Sequence, residues 1–279
     1  MKERIPPHAY FVGSAIFHYL GPAFAVLLFA RVEALGVAWL RIASAALVFA
    51  AWRRPWRSLA LIDRRTLVAW GAVLALMNCC FYLAIERLPL ATVAAIEFLP
   101  VVGLAALGAR TPRNAGALLL AVPGVYLLTG IQLEGEPLGV ALAFANAALF
   151  ALYIVLAHRA AQGAGVDALG MAMLVAAVVV TPLAGWAALP ALGDPVALLA
   201  GIGVGISSSV IPYVFDQLAM ARLPRATYAL LVSLLPATAA VIGVIVLGQV
   251  PTPQETAGVM LVIAGVALHR APAPEPVPA

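Results

Sequence analysis

Ten apolar runs occupy nearly the whole chain, each close to the roughly 20 residues a helix needs to cross a hydrocarbon core. No other feature restricts the fold as strongly. The runs are Phe11–Ala30, Ala34–Trp52, Leu67–Ile85, Leu90–Ala109, Ala115–Ile131, Leu138–Ala157, Ala168–Leu189, Val196–Ala219, Ala226–Leu247 and Pro253–Leu268, the last being short with Gln254 and Glu255 at its start. Only 10% of the 279 residues are charged, against roughly 25% in soluble domains, so a water-facing surface cannot be built. The chain reads as an all-α integral membrane protein of ten transmembrane helices embedded in a lipid bilayer, with no separate soluble domain. Its net charge of +4 does not indicate a nucleic-acid partner, because the basic residues lie mostly in short connections between runs. Cys79 and Cys80 are adjacent in an apolar run and frame no disulfide scaffold.

Those basic residues predict orientation. Lys2 and Arg4 before the first run could also head a cleavable signal peptide, but nine further runs favour retention. With the N-terminus in the cytoplasm, that side collects thirteen of the sixteen Lys and Arg, the other side keeps Arg31 and Arg87, and Arg41 lies within the second run. The bias predicts both termini in the cytoplasm.

The hexapeptide Arg87-Leu88-Pro89-Leu90-Ala91-Thr92 recurs as Arg222-Leu223-Pro224-Arg225-Ala226-Thr227, each copy followed by an intramembrane proline, Pro100 or Pro236. Two halves of five helices are implied, residues 1–132 and 133–270, followed by a Pro-rich tail, 271–279. Five is odd, so the halves have opposite orientation, an arrangement common in secondary transporters with a substrate site near the midplane.

Ionisable residues inside a membrane mark function by default. Glu97 sits near the middle of the fourth run, where a carboxylate is costly unless paired, protonated or facing a wet cavity. A substrate amine or a proton is its predicted partner. Arg41 either snorkels outward or clamps a substrate carboxylate with its guanidinium fork; the two residues together suit a zwitterion, or they pair with each other when the site is empty. Asn78 and Tyr82 share a helix face four residues apart and are candidates for the same cavity wall. In the eighth run Ser209, Tyr213 and Asp216 share a face interrupted by Pro212, with Asp216 a candidate for gating or proton coupling. His18 is a possible proton relay. Asn146 and Tyr153 complete the polar set, and their simplest reading is packing. No Walker loop, His-Glu-x-x-His, Gly-x-Ser-x-Gly or Cys/His metal spacing occurs, so neither a cofactor, a metal nor an enzyme is indicated. Gly201 and Gly205 form a small-x-x-x-small helix contact.

These residues resemble the EamA-type branch of the drug/metabolite transporter superfamily, and within it the threonine/homoserine exporter-like proteins. The similarity is carried by Met77-Asn78, Phe81-Tyr82, Pro89-Leu90, Ile96-Glu97-Phe98, Ser208-Ser209, Pro212-Tyr213, Arg222-Leu223-Pro224 and Pro236-Ala237. It implies a proton-linked exporter of small amino acids or related metabolites in a bacterial inner membrane, with Asn78, Tyr82, Glu97, Tyr213 and Asp216 at family positions. Two departures stand out: one residue fewer between Glu97 and Pro100, and Leu235 where relatives often carry an acid. Export of other metabolites or hydrophobic drugs is the alternative, and an intramembrane enzyme or passive channel is a third reading. Whether the protein is a monomer or a homodimer is left open by the sequence.

Overall fold

The computed structural model describes residues 6–57, 63–100, 111–220 and 235–268, with side chains 7, 128–135, 158, 160–165, 217 and 220 outside the description. Proline sets where many helices begin. Its missing N–H is no loss in the first turn and its φ suits a helix, and Pro7, Pro112, Pro137, Pro195 and Pro253 each open one: α1 (Pro7–Leu28), α5 (Pro112–Gly135), α6 (Pro137–Ala184), α8 (Pro195–Gly205) and α11 (Pro253–Leu268). Between them run α2 (Ala34–Arg53), α3 (Arg64–Ile85), α4 (Leu90–Glu97), α7 (Leu189–Gly193), α9 (Ile211–Met220) and α10 (Leu235–Leu247).

Side-chain caps reinforce three of these starts. Asp63 accepts from the Thr66 amide at 2.8 Å, and Asp194 accepts from the Val196 and Ala197 amides at 2.9 and 3.2 Å. Thr252 and Glu255 form a reciprocal capping box at α11, with the Thr252 amide donating to Glu255 Oε2 at 2.8 Å and the Glu255 amide to Thr252 Oγ1 at 3.2 Å.

The expectation of ten membrane-spanning helices in two inverted halves of five is overturned. Among the described residues, six helical segments are long and apolar enough to cross a membrane: His8–Leu28, Ala34–Arg53, Arg64–Ile85, Pro137–Ala157, Val166–Gly193 and Pro195–Asp216. The helix in the fourth run stops at Glu97, where the backbone turns at Phe98; eight residues reach only about 12 Å. In the tenth run α11 has 16 residues, or about 24 Å, against a core of roughly 30 Å, and in the ninth run the 13 residues of α10 start at the first described position, Leu235. Leu99 and Pro100 beyond the turn are again helical, and the remainder of the fourth run, 101–109, and the opening of the ninth, 226–234, lie outside the described residues. The fifth run lies in α5, whose described side chains stop at Leu127 and which is not among the six. The predicted connection between the sixth and seventh runs is itself helical, so that α6 is one element of 48 residues. The second copy of the hexapeptide, residues 222–227, and the tail 271–279 lie outside the described residues, while the division at 132/133 falls within α5.

Large apolar side chains such as Leu47 and Ile245 point outward, as a lipid-facing surface requires. The helices inside are held by small residues, which let backbones approach where hydrophobic burial cannot drive association. A Cβ on Gly71 of α3 would meet Val175 and the Ala172 carbonyl of α6, and α3 and α6 form the most extensive helix pair. Gly124 of α5 lies against the Gly258 carbonyl of α11 in the same way. Gly201 of α8 faces Leu40, and Gly205 faces Ser44 and the Arg41 carbonyl of α2, so the small-x-x-x-small contact read from the sequence joins α8 to α2.

Candidate functional site

The helix that begins at Pro195 does not continue regularly to Met220. Residues Ile206–Val210 form a π-turn between α8 and α9, a local widening often found at functional sites. Pro212 lies just beyond it and has no N–H to give to the Ser208 carbonyl four residues back. That carbonyl instead accepts from Arg41 Nη2 of α2 at 3.2 Å, while Arg41 Nε donates to Ser209 Oγ at 3.0 Å. The guanidinium also lies over the Tyr82 ring of α3, 5.6 Å from its centroid. Arg41 therefore points inward and is held there, and does not snorkel toward an aqueous edge.

Its five N–H donors are only partly used in these bonds, so donors remain for a ligand. The π-turn is pressed between two helices: a Cβ on Gly21 of α1 would collide with Ser207 and Ser208. Ser14 Oγ of α1 donates to the Pro212 carbonyl at 3.2 Å, tying α1 to the start of α9.

Arg41 faces a cavity of about 80 Å³, counted as room for the centres of water molecules, enough for several waters. Glu97, at the end of α4, lines the same cavity and is buried. So do His18 and Pro22 of α1, Asn78 and Phe81 of α3, Asn146, Phe150 and Tyr153 of α6, and Tyr213 of α9. The cavity thus brings a guanidinium and a carboxylate together within mostly aromatic and apolar walls. No Arg41–Glu97 ion pair forms among the described residues, so the predicted pairing in the empty state is not what the structure has. The two charges remain on separate helices with room between them.

Five of the predicted site residues, His18, Arg41, Asn78, Glu97 and Tyr213, border this one cavity. Asn78 reaches it while donating from Nδ2 to the Leu74 carbonyl of its own helix at 2.8 Å. Tyr82 is fully buried behind Arg41 and braces the guanidinium without lining the cavity. Asp216 is half-buried one turn beyond Tyr213, outside the lining, but near enough to act electrostatically on Tyr153 and Tyr213.

Asn146 carries more than packing. It is completely buried, and its Nδ2 donates to Glu97 Oε1 at 3.2 Å. A lone strong polar group in the apolar run Leu142–Ala157 was the available signal for it. Ser208 and Ser209 are likewise partners of Arg41, for which the signal was Pro212 four residues beyond the orphaned carbonyl. Among the described residues no group of His, Cys, Asp and Glu is arranged to hold a metal ion.

Known proteins share this architecture. The profile of the EamA-like transporter family matches residues 137–270. The threonine/homoserine exporter RhtA of Escherichia coli K12 is 34% identical over 248 residues, spanning 88% of this chain and 84% of that protein. The protein of the same name from Salmonella typhimurium LT2 matches with the same identity and coverage. One crystal structure superposes with a TM-score of 0.60 over 94% of this chain and 96% of that one, at 19% identity, a likeness of fold. On this similarity the chain is a multi-pass secondary transporter of small metabolites in a bacterial inner membrane and not an enzyme, and it belongs to the EamA-like transporter family of the drug/metabolite transporter superfamily.

Proposed function

We propose that this transporter exports small amino acids of the threonine and homoserine kind in exchange for protons. The observation that carries the reading is the single cavity bordered by Arg41 on one helix and Glu97 on another. It offers opposite charges to a zwitterion in surroundings of low polarity, where each charge interacts far more strongly than in water. Arg41 clamps the substrate carboxylate with the donors it does not spend on the π-turn. Glu97 takes either the substrate ammonium or a proton, so the two ligands compete for one group. Asn78 and Tyr213 shape the walls, Tyr82 braces Arg41, and His18 and Asp216 serve proton passage. The 34% identity to exporters named for threonine and homoserine supports this substrate class. Both termini face the cytoplasm in this reading, on the side where Arg53, Arg54, Arg64 and Arg65 cluster between α2 and α3.

Uptake of labelled threonine into inverted membrane vesicles with an imposed pH gradient tests the proposal. Wild-type protein gives saturable, gradient-dependent accumulation, and Glu97→Gln abolishes the dependence on the gradient. No uptake by wild type, in vesicles shown to contain the protein and to hold the gradient, would sink the substrate assignment.

A further inference from the structure

The cavity wall contains a polar atom that the protein leaves unsatisfied. Asn146 donates through Nδ2 to Glu97 Oε1, and its Oδ1 is buried with no hydrogen-bond partner. A buried amide oxygen in this condition is costly unless a ligand or a water in the cavity meets it. The amide is nearly symmetric in shape, and its terminal torsion is broad and roughly two-fold. Turning it over exchanges donor and acceptor without moving the backbone.

Each orientation suits one protonation state of Glu97. An ionised carboxylate only accepts, so Nδ2 must face it, and Oδ1 is then turned away as a free acceptor. A protonated carboxyl carries an O–H that can donate, and the turned amide meets it with Oδ1. We propose that Asn146 is the residue that reads the state of Glu97 and, with it, forms a subsite for a primary ammonium group. With Glu97 ionised, the carboxylate and Asn146 Oδ1 accept together from the ammonium. When Glu97 takes a proton, its O–H donates to Oδ1, and both acceptors are lost to the substrate at once. Proton and amine then exclude each other through two side chains on two helices, α4 and α6. Amines without N–H groups cannot use the subsite. The inference rests on the reading of Glu97 as the site of ammonium or proton.

The other titratable or charged groups facing this pair are His18 and Tyr19 from α1, Arg41 from α2, Tyr153 from α6 and Tyr213 from α9, with Asp216 of α9 acting on Tyr153 and Tyr213. Asn146 alone among the side chains has a described hydrogen bond to Glu97.

Infrared difference spectra of the reconstituted full-length protein between acid and alkaline pH test the proposal, with Glu97→Gln identifying the Glu97 carboxyl band. The chain has three asparagines, Asn78, Asn114 and Asn146, so carbon-13 labelling of asparagine isolates their amide bands. In wild type a labelled amide band shifts in step with the Glu97 carboxyl band. In Asn146→Ala the amide shift disappears, the protonated carboxyl band moves to higher frequency, and threonine affinity falls roughly ten- to hundredfold, as for loss of a buried hydrogen bond to a charged group. A titrating Glu97 band with silent asparagine amides in wild type refutes the role of Asn146 alone, and this arm needs no variant of Asn146 to fold. Absence of any titrating Glu97 band refutes the proton-site reading and this inference with it.

Discussion

Two glycines two residues apart on α8 face opposite environments, and substituting each by alanine separates close helix packing from mere proximity to the site. A Cβ on Gly203 meets nothing within 4 Å, whereas a Cβ on Gly205 would run into Ser44 Oγ and lie 2.7 Å from the Arg41 carbonyl. The second obstacle is backbone and cannot rotate away. Overpacking of this kind costs about 1–3 kcal/mol. The gain in helix propensity from Gly to Ala, about 1 kcal/mol, offsets part of it. If the forced separation also breaks one of the bonds from Arg41 to Ser208 or Ser209, a further loss of about 1.5 kcal/mol follows. Gly205→Ala should therefore lose roughly 0–2 kcal/mol net, or about 1.5–3.5 kcal/mol if an Arg41 bond also breaks, while Gly203→Ala gains up to about 1 kcal/mol. Reversible unfolding in mixed micelles titrated with a denaturing detergent measures both. Adding Ser44→Ala should recover only part of the Gly205→Ala loss, because the Arg41 carbonyl remains, and a double-mutant cycle gives the coupling. Equal stabilities for the two single variants would refute the close α2–α8 contact on which the placement of Arg41 depends.

Pro212→Ala restores an N–H that can take the Ser208 carbonyl in an ordinary helical bond. Arg41 then loses one acceptor, and threonine transport should fall several-fold with no loss of folded protein on size-exclusion chromatography; unchanged transport would mean that the π-turn does not position Arg41. At the other end of α8, the Ala197 amide, followed by the Arg31 guanidinium, holds the Asp194 carboxyl below its ordinary value of 3.8. A depressed acid stabilises the folded state above its unfolded value and loses that contribution as pH falls through the lower folded value. Asp194→Ala should therefore lower stability at neutral pH, with the difference from wild type shrinking as pH falls below 3.8 through the depressed folded value. Parallel unfolding curves of the variant and wild type at pH 7 and at pH 3 check the sign, and a constant difference between the two pH values would refute it.

Much of the site was legible because a bilayer makes polar residues conspicuous. Arg41, Asn78, Glu97 and Tyr213 each interrupt an apolar run, and the structure brings all four to one cavity. Span number was less legible, since hydropathy reports only that residues tolerate lipid or protein interior. Ala94 and Phe98 are both buried on either side of the point where α4 ends, and composition alone does not mark the change. Asn146 was visible as a polar residue but silent about its partner, because nothing in an isolated helix says which side chain 49 residues away in sequence will face it.

The anchoring of Arg41 shows what backbone accounting adds to such a reading. A proline in an apolar helix was evident at position 212, and its arithmetic is definite: the carbonyl four residues earlier loses its donor. In hydrocarbon that carbonyl must find another, since no bulk water is present to serve it. The buried residue best able to supply one is an arginine, whose several donors can satisfy the carbonyl and still leave others over. Ser208 and Arg41 thus solve each other's problem, one lacking a donor and the other needing acceptors to be tolerated within the membrane. The same reasoning explains why lysine would not replace Arg41. A single ammonium lacks the planar fork that reaches Ser209 Oγ and the Ser208 carbonyl from two different nitrogens while still facing the cavity.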